Sequence, residues 1–245
     1  MQEIGAQCAP YFTPFVRIIL VRCMTARLVI SIISMVLLSR TAIAGRCDNP
    51  RECLTREGRT TLITQPHKRN YERKLFVTPD EIARYLFLTN APNDGDRSAA
   101  IYRASGKSGS LPGAYWVTAT EASDSLIETT RGISVRRSDA PLPASTAVAI
   151  HRLWVAFLEA TREEKDTIIC SPTGIFAATP SGGSRLTAGT WTIPDEGCLC
   201  HDLLNLGEEL VGYPRLPATK RAEAARKIEE TSHALFQRVW RAKDT

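Results

Sequence analysis

The chain has 245 residues, with 31 Lys and Arg against 26 Asp and Glu, 43% apolar residues and seven cysteines. Fifteen glycines and 14 prolines are ordinary counts, which exclude collagen-like, low-complexity and wholly disordered classes. The net charge of +5 admits an anionic partner only if the charge belongs to the working part of the molecule.

Much of it does not. Residues 28–38 read Leu-Val-Ile-Ser-Ile-Ile-Ser-Met-Val-Leu-Leu, with Arg22 and Arg27 before them and Ala42-Ile43-Ala44 after them. A basic start, a short apolar run and an A-x-A ending describe a secretory signal peptide over residues 1–44. A spanning helix needs about 20 apolar residues, and Arg40 ends this run too soon. Met24–Ala44 has the length of an ordinary leader, so Met24 is the expected true start. The rival reading is a two-part apolar anchor that includes Phe15 to Val21. Without residues 1–44, which hold four arginines and one glutamate, 27 basic and 25 acidic side chains remain. That balance argues against a nucleic-acid partner. A periplasmic or secreted chain with no stable membrane span is expected, long enough to bury a core.

Residues 45–77 are rich in charge and turn formers and predict an irregular arm, with one strand at Thr60 to Ile63. The remainder, 78–245, is expected to form a single α+β domain. Thr78-Pro79-Asp80-Glu81 has the form of a capping box with Pro at the first helical position, which predicts a helix over about 79–88. Its core side chains would be Ile82, Tyr85, Leu86 and Phe87. Residues 89–113 read as a polar loop. Within it, Gly106-Lys107-Ser108 matches the end of a phosphate-binding loop, but the required earlier glycine is Ile101 and no apolar strand precedes it. Ala114 to Thr118 and Ser125 to Thr130 predict short strands.

Pro141 and Pro143 precede a helix over about 144–164, on which Ile150, Trp154, Phe157, Leu158 and Thr161 share a face that Val148 and Val155 broaden. His151 beside that face reads as a hydrogen-bonded boundary residue. A three-stranded antiparallel meander is expected over about 167–193. Its strands are Thr167 to Cys170, Ile175 to Thr179 and Arg185 to Ile193, with turns at Ser171-Pro172-Thr173-Gly174 and Pro180-Ser181-Gly182-Gly183. Leu199, Leu203, Leu206 and Leu210 stripe a helix over about 198–212, with Asp195 as its cap and Glu196 at its positive end. A last helix, about 218–242, buries Ala224, Ala225, Ile228, Ser232, Leu235, Phe236 and Val239, and its mixed charges suit a solvated outer face.

Past the leader, five cysteines remain: Cys47, Cys53, Cys170, Cys198 and Cys200. In an oxidising compartment they read as a disulfide framework, with Cys47, Cys53, Cys170 and Cys198 as candidates and one thiol left over. The competing reading makes Cys198-Leu199-Cys200-His201 the centre of a thiol- or metal-dependent enzyme, with Cys200 and His201 as catalytic groups and Asp202 nearby. The spacing is C-x-C without a second pair, so no metal and no cofactor are expected. His67, His151, His201 and His233 are scattered, and no catalytic motif of fixed local spacing is present. The leading expectation is an exported binding or interaction module whose partner is another protein or a small ligand. Its expected surfaces are the 89–113 loop and the meander edge, where Trp191 is either exposed or buried in the core. A small-molecule carrier would instead need an enclosed apolar pocket between meander and helices.

Overall fold

The computed structural model describes residues 54–56, 74–75, 81–89, 95–104, 114–125, 132–161, 174–190 and 196–243, all within one compact unit, Arg46–Thr245. The class is α+β. Six strands of five to eight residues and one strand of two form an antiparallel sheet that carries three helices. In chain order these are β1 (Thr55–Arg56), β2 (Glu81–Phe87), β3 (Arg97–Arg103), β4 (Tyr115–Ala122), β5 (Val135–Leu142), α1 (Ala144–Ala160), β6 (Gly174–Ala178), β7 (Leu186–Thr190), α2 (Leu199–Gly212) and α3 (Ala218–Lys243), with a 3-10 turn at Tyr213–Arg215.

Strands β2 to β5 run up and down as consecutive neighbours. Helix α1 then returns across the sheet, and β6 enters on the free side of β2. The order is therefore β1-β7-β6-β2-β3-β4-β5.

This arrangement corrects the expected helix over 79–88. Those residues form β2, a central strand paired with β3 on one side and β6 on the other. Tyr85 faces Ala99 and Phe176 in register, and the strand is buried along most of its length. The turn-like start at Thr78 is a local preference worth about 1 kcal/mol. Two ladders of backbone hydrogen bonds and burial on both faces outweigh it. Glu81, which a capping box would aim at its own backbone, instead accepts from Arg84 Nε at 2.7 Å and pairs with Arg185.

The expected loop over 89–113 holds β3, whose Arg97–Arg103 pairs along its whole length with β4. The three-stranded meander is also corrected. Only its last two strands lie in the described residues, as the β6–β7 hairpin, and they extend a larger sheet through β2. The proposed strands at Thr60 to Ile63 and Thr167 to Cys170 lie outside the described residues, as does nearly all of Ser125 to Thr130.

The expected helices at 144–164, 198–212 and 218–242 are α1, α2 and α3. Their striped faces pack on the sheet face that presents Ala83, Tyr85, Ala99, Ile101, Val117, Ala119, Ala140 and Phe176. Trp154 meets Phe176 edge-on at 5.5 Å between ring centroids, and Tyr85 lies 5.2 Å from Phe176 on its other side. Small strand residues let the helices approach closely. Val148 does not broaden the buried stripe of α1; it is 42% exposed. The opposite sheet face is buried as well, at Leu86, Ser98, Ala100, Tyr102, Thr118 and Thr120. The Ser98 hydroxyl donates to the carbonyl of Leu75 across it. Leu54 and Leu75 are buried too, so the segment expected as an irregular arm contributes to the packed interior.

Candidate functional site

The cysteine-rich start of α2 is a structural anchor. Cys198 is the N-cap residue, in extended conformation and without a side-chain cap bond; the expected cap, Asp195, lies outside the described residues, and Glu196 is exposed. Cys198 and Cys200 are both buried, and both are disulfide-bonded. Their sulfurs are therefore not thiolates. His201 Nδ1 lies 3.1 Å from Asn205 Nδ2, one turn on, and 3.9 Å from Asp202. Asp202 accepts from Arg238 Nη1 at 2.5 Å, and Arg238 also donates to the Gly197 carbonyl, so this carboxylate ties α3 to the start of α2. Among the described residues no three His, Cys, Asp or Glu side chains converge as a metal site would require. The geometry lends no support to Cys200 and His201 as a reacting pair. Cys47, Cys53, Cys170 and Trp191 lie outside the described residues, as does the Gly106-Lys107-Ser108 segment.

His151 meets its expectation: Nε2 lies 2.8 Å from the Thr179 carbonyl, joining α1 to the end of β6.

Sequence reasoning missed a polar cluster between sheet and α2. The Tyr85 hydroxyl donates to Glu208 Oε1 at 2.7 Å, and Arg97 Nε donates to Oε2 of the same carboxylate at 2.6 Å. The Arg97 guanidinium sits 4.2 Å from the centroid of Phe87. Gly207 makes room for the ring: a Cβ there would lie 2.6 Å from Tyr85. Burial, then the charge and hydrogen bond of Glu208, push the Tyr85 phenol well above its ordinary value, with Arg97 opposing. The phenol thus stays a neutral donor, and the cluster clamps two elements together rather than transferring a proton. Glu208 follows Tyr85 by 123 residues and Arg97 by 111, so no local spacing could have announced them.

Arg97 also lines a groove of about 430 Å³ with Gly95, Glu121, Ser123, Ser134 and Arg136. Glu121, part of that lining, lies 2.7 Å from Arg136 and 3.0 Å from Arg215. The groove lies beside β5, the last of the described strands in the sheet order.

At the other end, β7 is covered by β1 at Ala188 and Gly189, so the expected meander edge is closed over those residues. Strand β5 has β4 as its only neighbour among the described strands. Arg136, Arg137, Asp139 and Pro141 are exposed along it. Its backbone direction follows from one bond. Ser123 N–H donates to the Ser134 carbonyl at 2.9 Å, in line with the β4–β5 register. Antiparallel alternation then turns the backbone groups of Arg136, Ser138, Ala140 and Leu142 toward β4, and those of Val135, Arg137 and Asp139 away from it. Pro141 falls on the outward set, where its missing N–H costs the β4 ladder nothing.

No protein-family model matches the chain, and no curated protein or solved structure is detectably similar to it.

Proposed function

We propose that the chain is an exported interaction module that takes an extended segment of its partner onto the β5 edge. The observation that carries this reading is the strand itself: eight residues at the end of the sheet, with charged side chains exposed and every second residue directing backbone donors and acceptors outward. Export is supported by the leader-like residues 24–44 and by disulfide bonding at Cys198 and Cys200, which suits an oxidising compartment.

A photo-crosslinking amino acid at position 136 tests the edge in the exported protein. Crosslinking is expected there, is expected to vanish with Arg137→Pro, and is not expected from position 237 on the outer face of α3. Crosslinking from 237 with none from 136 would overturn the reading. N-terminal sequencing of the mature chain, expected to begin at Gly45, checks the export step; a chain retained inside the cell with residues 1–44 intact would refute it.

A further inference from the structure

We infer that the end of α3, with Arg152 of α1 beside it, docks on an anionic phospholipid surface through Trp240. This face belongs to the two helices and uses no residue of β5. No helix among the described residues is long and apolar enough to cross a membrane, so the contact is peripheral.

The tryptophans of α1 and α3 are placed in opposite ways. Trp154 is completely buried, whereas Trp240 is 55% exposed. The Trp240 indole stacks on Phe236, with 6.2 Å between ring centroids and 22° between planes. The Arg152 guanidinium in turn lies 5.3 Å from the centroid of Phe236. Guanidinium, phenyl ring and indole thus form one continuous layer across the two helices. Val148, one turn before Arg152 on α1, is the other large apolar side chain exposed among the described residues. A lone exposed valine is ordinary, but an exposed indole backed by a second ring and an arginine marks a contact surface. Stacking already holds the indole in place, so little side-chain freedom remains to be lost on docking.

Charge identifies the partner. The glutamates of α3, Glu223, Glu229 and Glu230, lie in its first half, and Arg238, Arg241 and Lys243 follow with no acidic residue among them. Arg226, Lys227 and Arg238 are occupied by Glu230, Glu209 and Asp202. Arg152 and Arg241 flank the aromatic layer, are exposed, and have no carboxylate partner among the described residues. Glu159, seven residues after Arg152 on the same side of α1, is exposed and offsets one of these charges. Cations in a last turn also suit the helix dipole, but that explains neither Arg152 nor the exposed indole. An amphipathic ring with cations beside it fits the headgroup level of a bilayer, where the ring sits between acyl chains and water and the cations meet phosphate. A stable protein partner would need about 800 Å² of matching surface, far more than two rings and two guanidiniums present.

Flotation of the mature, oxidised protein with lipid vesicles tests the docking. Vesicles of phosphatidylcholine with about 30% phosphatidylglycerol should carry the protein, and vesicles of phosphatidylcholine alone should not. Trp240→Ala should weaken binding about tenfold through lost apolar area. Arg241→Glu and Arg152→Glu should each weaken it about tenfold or more, since one charge near an anionic surface is worth about fivefold and each variant changes two. Lys220→Glu makes the same charge change about 30 Å away along α3, beyond the screening length, and should weaken binding less than about twofold. All four side chains are exposed, so unchanged urea midpoints should confirm that the variants fold. A photo-crosslinking amino acid at position 240 should form a lipid adduct on the anionic vesicles. No binding, equal binding to both vesicle types, or equal losses with Lys220→Glu and Arg241→Glu would overturn the docking. So would capture of a protein from position 240 without any lipid adduct.

Discussion

Gly207 is the residue on which the Tyr85 clamp depends. An alanine methyl there would sit 2.6 Å from a ring that is completely buried between sheet and helix. The ring is fixed at its far end by Glu208, so the strain has no easy outlet. Gly207→Ala should cost about 1–3 kcal/mol, read from the urea midpoint, and an unchanged midpoint would contradict the packing described. Tyr85 makes a second prediction, in alkali. In the unfolded chain its phenol ionises near the ordinary 10.0, whereas in the fold burial and Glu208 keep it protonated to higher pH. Its stabilising contribution is therefore complete below pH 10 and declines as pH rises through the folded value. Tyr213, raised chiefly by its own burial, adds in the same direction. Tyr85→Phe should flatten the loss of stability above pH 10 and Tyr213→Phe should leave most of it; equal slopes in wild type and Tyr85→Phe would remove the phenol from the account.

At the scale of elements, β5 offers a sharp contrast between neighbouring positions. The Arg137 N–H points away from β4 and the Ser138 N–H points toward it, by the alternation that starts at Ser123 and Ser134. Arg137→Pro should cost less than about 1 kcal/mol, whereas Ser138→Pro should cost about 3 kcal/mol. Thermal melts of the two variants decide it, and equal losses would mean that the ladder has the opposite phase. Helices α1 and α3 show how an element expected from periodicity is completed by contacts that periodicity does not contain. The Ser145 and Thr146 hydroxyls at the start of α1 both donate to Glu229 of α3, at 2.8 and 3.0 Å. Farther along, Arg152 lies over the Phe236 ring. The two helices thus run parallel, joined by polar contacts at one end and an aromatic one at the other. Capping and periodicity made opposite contributions to prediction: apolar stripes at helical spacing located the three described helices, whereas the cap-like Thr78-Pro79-Asp80-Glu81 pointed to a helix where a strand formed.

For the whole molecule, the disulfide bonding of Cys198 and Cys200 is expected to secure the start of α2 against the sheet. Reduction should lower unfolding free energy by about 2–5 kcal/mol, measured by denaturant titration with and without a phosphine reductant. Insensitivity to reductant would show that α2 is held by its leucine stripe and by Arg238 alone. Charge has a correspondingly local meaning. The net +5 of the full chain shrinks to +2 past residue 44, and among the described residues several charges are paired: Arg97 with Glu208, Arg136 and Arg215 with Glu121, Arg84 and Arg185 with Glu81.

The sequence by itself determined the α+β class and the three amphipathic helices, because helical burial repeats every three or four residues and leaves that period in the chain. It also located the β6–β7 hairpin through its Pro-Ser-Gly-Gly turn, and identified His151 as a boundary residue. Only the tertiary structure decided that residues 81–87 are a central strand. A strand buried on both faces has no alternation to read, and its partners β3 and β6 are brought to it by the rest of the fold. The same holds for the clamp of Tyr85, Arg97 and Glu208, whose members meet across more than 100 residues. It holds as well for the place of β5 at the end of the described strands: which strand stands last is a property of strand order, and strand order is settled by what packs against what.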